Sequence, residues 1–121
     1  MPVLWVFLGG GLGATLRWGL SSLAAAPWGT VGVNILGSFA LALLMHPAMG
    51  IGGSARLFLC TGLMGGFTTY STFNLDVLTA VERGDGLGAL TTASTTLVSC
   101  LLAGSAGWNL GSWLGRQIGS T

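Results

Sequence analysis

The sequence predicts an all-α integral membrane protein of four transmembrane helices with a break in the third, assembled as a dual-topology antiparallel homodimer. Three observations lead to the helical layout, and the distribution of arginines leads to the pairing. Of 121 residues, 6% are charged and 51% hydrophobic, whereas a soluble domain carries about 25% charged residues. Four apolar stretches, residues 3–20, 28–45, 56–81 and 87–114, are divided by short Gly-, Pro- or charge-bearing links, and a helix needs about 20 apolar residues to cross the hydrocarbon. The third stretch carries the string Gly62-Leu63-Met64-Gly65-Gly66-Phe67-Thr68-Thr69-Tyr70-Ser71-Thr72-Phe73 near its middle. Glycine costs about 1 kcal/mol relative to alanine inside a helix, and Ser and Thr compete for backbone hydrogen bonds.

The first span, residues 3–20, is read as retained rather than as a cleaved signal. It lacks a basic leading region and Arg17 interrupts its apolar run, although Ala24-Ala25-Ala26 looks like a cleavage site. Gly9 and Gly13 form a small-xxx-small pair suited to close helix approach. Arg17 is either an interfacial anchor or a fixed positive charge at the mouth of an anion path.

The second span opens after Pro27, whose missing N–H suits a helix start. Thr30, Asn34 and Ser38 are four apart and share one face. The Asn34 carboxamide is costly in lipid, so it either joins helices or lines a pore. His46, beside Pro47 at the end of this span, is expected at the interface, with no second histidine to make a metal pair.

The third span follows a Gly-rich turn over residues 49–55. Its central string admits two readings. Gly62 and Gly66 can form a packing seam. Alternatively the helix breaks there, and irregular backbone at membrane depth survives only where it faces protein or a watery cavity. Freed carbonyls at such a break bind cations and freed N–H groups bind anions. Asp76, Glu82 and Asp85 are expected at the wet end, capping or pairing with Arg83.

The fourth span has a hydroxyl-rich first half. Thr92, Thr96 and Cys100 lie on one stripe, with Thr91, Thr95 and Ser99 beside it. Such hydroxyls either satisfy the carbonyl one turn back or form a polar track along a pore. Gly107, Gly111 and Gly115 repeat at four residues as a packing face.

Four spans place Arg56 and Arg116 on one side of the membrane and Arg17 and Arg83 on the other. Orientation follows a Lys/Arg excess in the cytoplasmic loops. With no lysine and the arginines tied, copies are expected to insert both ways and to pair about an axis in the membrane plane. Residues 1–121 are read as a single transmembrane domain. A net charge of +1 argues against nucleic-acid binding. Cys60 and Cys100 both fall in apolar spans, so no disulfide framework is expected. No nucleophile–base pair or metal cluster points to an enzyme.

Three motifs resemble the Fluc (CrcB) fluoride channels. They are Gly65-Gly66-Phe67-Thr68-Thr69-Tyr70-Ser71-Thr72-Phe73, Gly13-Ala14-Thr15-Leu16-Arg17-Trp18, and Pro27-Trp28-Gly29-Thr30 followed by Val33-Asn34. The likeness extends over nearly the whole chain in order. It implies a passive, selective fluoride channel of the bacterial inner membrane that exports fluoride and relieves its toxicity. It also implies an antiparallel homodimer in lipid with two pores, and a central structural sodium ion held by the backbone carbonyls of Gly65 and Thr68. Carried over position by position, the resemblance puts Asn34, Tyr70, Phe73, Thr92, Thr96 and Cys100 on the fluoride pore, with Arg17 near its mouth. The chain departs from the usual pattern in carrying tyrosine at position 70, threonine at 92 and cysteine at 100. A small dual-topology multidrug exporter is the main rival reading, but such coupling needs a carboxylate inside the membrane. A non-transporting assembly protein would leave Asn34 and the break without a use.

Overall fold

The computed structural model describes residues 1–120, and its regular structure is helical throughout. Helix α1 is Pro2–Ser21 and α2 is Trp28–Met45, followed by a 3₁₀ turn, Pro47–Met49. The third segment comprises α3 (Gly53–Arg56), a π-helical stretch Leu57–Met64, α4 (Gly65–Phe67) and α5 (Tyr70–Glu82). Helix α6, Gly86–Gly119, closes the chain. Three helices, α1, α2 and α6, are long and apolar enough to cross a membrane, so this is a multi-pass membrane protein. The third segment is cut into pieces by the break, and no piece alone reaches that length. At 1.5 Å per residue the 34 residues of α6 extend about 51 Å, beyond a hydrocarbon core of about 30 Å.

Two glycine seams set the packing. A Cβ on Gly9 or Gly13 would collide with the carbonyl oxygens of Phe58 or Leu63, and one on Gly66 with that of Gly10. Gly62 in turn lies against Gly9, where an added Cβ would meet the Gly9 Cα at 2.9 Å. Backbone thus meets backbone where α1 crosses the first half of the third segment, the close approach that small residues permit. On the other side, a Cβ at Gly107 would strike the Phe39 carbonyl, and one at Gly111 would meet the His46 ring at 2.6 Å. The expected glycine faces of the first, third and fourth spans are therefore all used.

The end of α2 is fixed by His46. Its Nδ1 accepts the Ala48 N–H at 3.2 Å, and its Nε2 hydrogen-bonds the Ser112 hydroxyl at 3.0 Å. The ring meets Trp108 edge-on, with centroids 4.6 Å apart. His46 is a clasp between α2 and α6.

The break changes the partner of the third segment. Its first half packs on α1, whereas α5 packs on α6 and makes no contact with α1. Helix α2 touches both halves. The site of the break is narrower than the sequence suggests. Gly65 and Gly66 remain helical, and only Thr68 and Thr69 are extended, at φ −84°, ψ 153° and φ −149°, ψ 116°. The glycines serve the seam, and the two threonines make the break. The π-helical turn just before it is the second irregularity of this segment; such turns recur near functional sites.

Large apolar side chains face outward over much of the surface, including Phe7, Leu90, Leu97 and Leu102. The buried set is small and mixed: Val31, Val33, Cys60, Phe67 and Ala89 beside Thr30, Asn34, Thr69, Thr92 and Thr96. In water this would be inside-out. In lipid it is the expected arrangement, because hydrocarbon chains cover the apolar surface and polar groups turn toward one another.

Candidate anion site at the break

Breaking a helix strands backbone groups that lipid cannot satisfy. Asn34 resolves this for Thr69. Its Nδ2 donates to the Thr69 carbonyl at 3.0 Å, and the Thr69 N–H donates to its Oδ1 at 2.8 Å. The Thr69 hydroxyl accepts the Thr72 N–H at 3.2 Å and so caps α5. It also lies 3.1 Å from the Thr72 hydroxyl and 3.2 Å from that of Ser71. Thr69 is the hub that sequence reasoning passed over. Its signal was a hydroxyl residue directly before the first helical residue, Tyr70, with Thr72 three positions on.

These bonds divert two amides. In a continuous helix the Thr69 N–H would pair with the Gly65 carbonyl and the Thr72 N–H with the Thr68 carbonyl. Instead they go to Asn34 and to the Thr69 side chain. Gly65 is exposed and Thr68 partly so. Two carbonyl oxygens are thereby released near each other in sequence, a donor set suited to a hard monovalent cation.

A cavity of about 600 Å³ opens beside the break, lined by Asn34, Ser38, Tyr70, Phe73, Thr96 and Cys100 among others. The Tyr70 and Phe73 rings lie 5.5 Å apart at 59°, on one side of α5 as their spacing requires. Tyr70 is 78% exposed. Thr96 is 8% exposed, and its Oγ1 has no hydrogen-bond partner. Back-bonding to the preceding turn, open to every hydroxyl of that tract, is taken by Ser94 onto Leu90. The N-terminus of α5 borders the same space through Thr69 and Tyr70. Its unpaired N–H groups and the helix dipole favour negative charge.

Five of the expected pore residues therefore share one cavity. Thr92 does not. It lines a second cavity of about 700 Å³ together with Trp28, Asp76, Arg83 and Thr91. The stripe Thr92, Thr96, Cys100 thus passes from one cavity to the other along α6. Arg17 is partly buried on α1 and lines neither cavity.

Asp76 differs from expectation. It sits midway along α5, its Oδ2 is buried without a partner, and it neither caps a helix nor pairs with Arg83. Capping falls to Asp85, whose Oδ1 accepts the Gly88 N–H at 2.8 Å. Asp76 and Arg83 are seven residues apart and line the same cavity without meeting.

A broken-helix membrane protein with neutral donors at the break is the class these features define. Comparison with known proteins makes it specific. Residues 4–108 match the family model described as CrcB-like protein, Camphor Resistance (CrcB). A protein of Hyphomonas neptunium is 45% identical, covering 95% of each chain; one of Mesorhizobium japonicum is 41% identical, covering 96% of this chain and 97% of its own. One from Thermus thermophilus is 40% identical over 89% of this chain and 93% of its own. Each is named fluoride-specific ion channel FluC. The chain belongs to the CrcB family, a family of channels and not of enzymes.

Proposed function

We propose that the chain is a passive, selective fluoride channel that exports the ion across the bacterial inner membrane and so relieves fluoride toxicity. It works as an antiparallel homodimer with a structural sodium ion at its centre. The observation that carries the reading is the convergence of Thr96, Asn34 and the Phe73 ring on one cavity at the positive end of α5. The names of the relatives support the choice of ion.

Fluoride is small and strongly hydrated. A pore must replace its water with donors, yet hold it weakly enough to release it. Neutral groups meet both demands. The Thr96 hydroxyl is without an internal partner and can donate to an anion. Asn34 spends one N–H and its oxygen on Thr69, which leaves one N–H of the amide for the cavity. Aromatic rings carry a positive edge, and Phe73 and Tyr70 line this cavity at the start of α5. Arg17, away from both cavities, acts at most through its field, raising the anion concentration near the membrane surface. The even split of arginines supports insertion in both orientations. The released carbonyls of Gly65 and Thr68 would hold the sodium, which supplies a fixed positive charge and ties the two breaks together.

The test is efflux from liposomes holding the purified protein, read with fluoride and chloride electrodes in parallel. Rapid fluoride loss without chloride loss is expected. Folded protein that releases neither ion, or both equally, overturns the reading.

A further inference from the structure

We propose that His46 is a proton-operated clasp, closed when its ring is neutral and opened when the ring is charged, which joins the end of α2 and the 3₁₀ turn to the C-terminal part of α6. The inference does not rest on the channel reading. His46 lies far along α2 from Asn34, about 18 Å at 1.5 Å per residue, and lines neither of the two cavities.

The hydrogen bonds fix one proton arrangement. The Ala48 N–H donates to Nδ1 at 3.2 Å, so Nδ1 carries no proton and the neutral ring bears it on Nε2. The Ser112 hydroxyl donates to the Trp108 carbonyl at 3.2 Å, which leaves its oxygen to accept from Nε2 at 3.0 Å. A charged ring is a donor at both nitrogens. Its Nδ1–H then faces the Ala48 N–H, donor against donor, and the cap of the turn is lost. The ring has little room to seek another partner. A Cβ at Gly111 would meet its Cβ and Cγ at 2.6 Å, and the Trp108 ring stands edge-on with centroids 4.6 Å apart. Ala48 itself sits over Gly115, where an added Cβ would come within 2.6 Å of the Ala48 Cβ. Losing the cap frees the turn from this seat on α6.

Nearby charge does not rescue the charged ring. Helix α2, the turn and α6 carry no carboxylate. The charged side chain among them is Arg116, one turn past Ser112 and exposed, and the other titratable one is Cys100, more than three turns before Ser112. The C-terminus of α2 favours a cation, but the ring meets the turn through an acceptor that its charged form does not have. Histidine changes charge between pH 5 and 8, and this ring is partly exposed, within reach of protons from water.

The chain has one histidine, so a nitrogen-15 histidine label reports His46 alone. The experiment follows the labelled protein in micelles from pH 8 to pH 5 by NMR. Hydrogen–deuterium exchange of residues 46–50 and 108–118 is read alongside, corrected for the intrinsic effect of pH. The Nε2–H tautomer is expected at pH 8. Protection of both segments should fall about fivefold as the ring charges, the equivalent of one hydrogen bond of about 1 kcal/mol. His46→Asn keeps an acceptor for the N–H two residues on and does not titrate, so its protection should be the same at both ends of the range. Ser112→Ala removes only the Nε2 partner and should keep the acid response at residues 46–50. An Nδ1–H tautomer at pH 8, a ring still neutral at pH 5, or a ring that charges with no loss of protection overturns the inference. So does an equal acid response in the asparagine variant, or none at residues 46–50 in the alanine variant.

Discussion

Asn34 on α2 holds Thr69 by both backbone groups, donating to its carbonyl at 3.0 Å and accepting its N–H at 2.8 Å. A carboxamide offers the same donor and acceptor as a peptide group, so Asn34 stands in for the helical neighbours that Thr69 lacks. Because α2 touches both halves of the third segment, this one side chain fixes where the segment leaves α1 and joins α6.

Asn34→Ala strands both groups of Thr69 in a buried place, at a cost of about 1–3 kcal/mol each. The variant is expected to show a clearly lowered thermal midpoint in detergent along with lost flux. Asn34→Asp keeps the acceptor for the Thr69 N–H but sets an anionic oxygen against the Thr69 carbonyl. Its stability should rise as pH falls, because the protonated acid regains a donor. An alanine variant as stable as the parent would sink the bracing role.

Most of the helical layout was legible because membrane spans announce themselves by length and apolarity. Gly9, Gly13 and Gly107 were legible too, since four-residue glycine spacing has few other uses in a membrane helix. Two things were not. The exact break was hidden because Gly65 and Gly66 look like helix breakers, yet their lack of side chains is used against α1. Asp76 lacks the partner expected of it, because its distance from the loop along the chain says nothing of which face it turns inward. The grouping of Asn34 with Phe73 and Cys100 came from the family resemblance. Spacing within one helix cannot show which helices meet.

Gly13→Ala should destabilise the fold and Gly11→Ala should not. The added methyl at Gly13 has only the Leu63 carbonyl and the Phe67 amide to move against, whereas nothing lies within 4 Å at Gly11. Overpacking of this kind costs about 1–3 kcal/mol. A reversible unfolding titration of both variants in mixed micelles measures the difference, and equal midpoints would contradict the seam.

Thr96→Val replaces a hydroxyl that has no internal partner with a methyl of the same shape. Folding stability should hold or increase, since a buried unpaired polar atom is removed. Fluoride flux should fall on the order of fivefold, the equivalent of one neutral hydrogen bond of about 1 kcal/mol. Thr96→Ser, which keeps the donor, should retain most of the flux. Valine conducting like the parent would show that the hydroxyl does not meet the ion.

Phe73→Ile keeps bulk and apolarity but removes the ring edge. The side chain is partly buried on α5 and packs beside Tyr70, so an aliphatic replacement should leave assembly intact by size-exclusion chromatography. Efflux should drop to the protein-free level. Undiminished flux would mean that the ring is a wall and not a ligand.

The same bonds that brace the break also make a prediction about sodium. Asn34 takes the Thr69 N–H and the Thr69 hydroxyl takes the Thr72 N–H, so neither bond uses the carbonyls of Gly65 and Thr68, the proposed sodium ligands. A ligand bound only by the folded state stabilises it by about 2.7 kcal/mol at a hundredfold excess over its Kd. Exchanging sodium for N-methyl-D-glucamine should therefore lower the thermal midpoint of the purified protein, and returning sodium should restore it. Asn34→Ala leaves the Thr69 N–H unpaired and loosens the break that presents both carbonyls, so its midpoint should respond much less to sodium. A parent protein indifferent to the exchange after exhaustive dialysis would remove sodium from the account, and an equal response in both proteins would place the ion elsewhere than at Gly65.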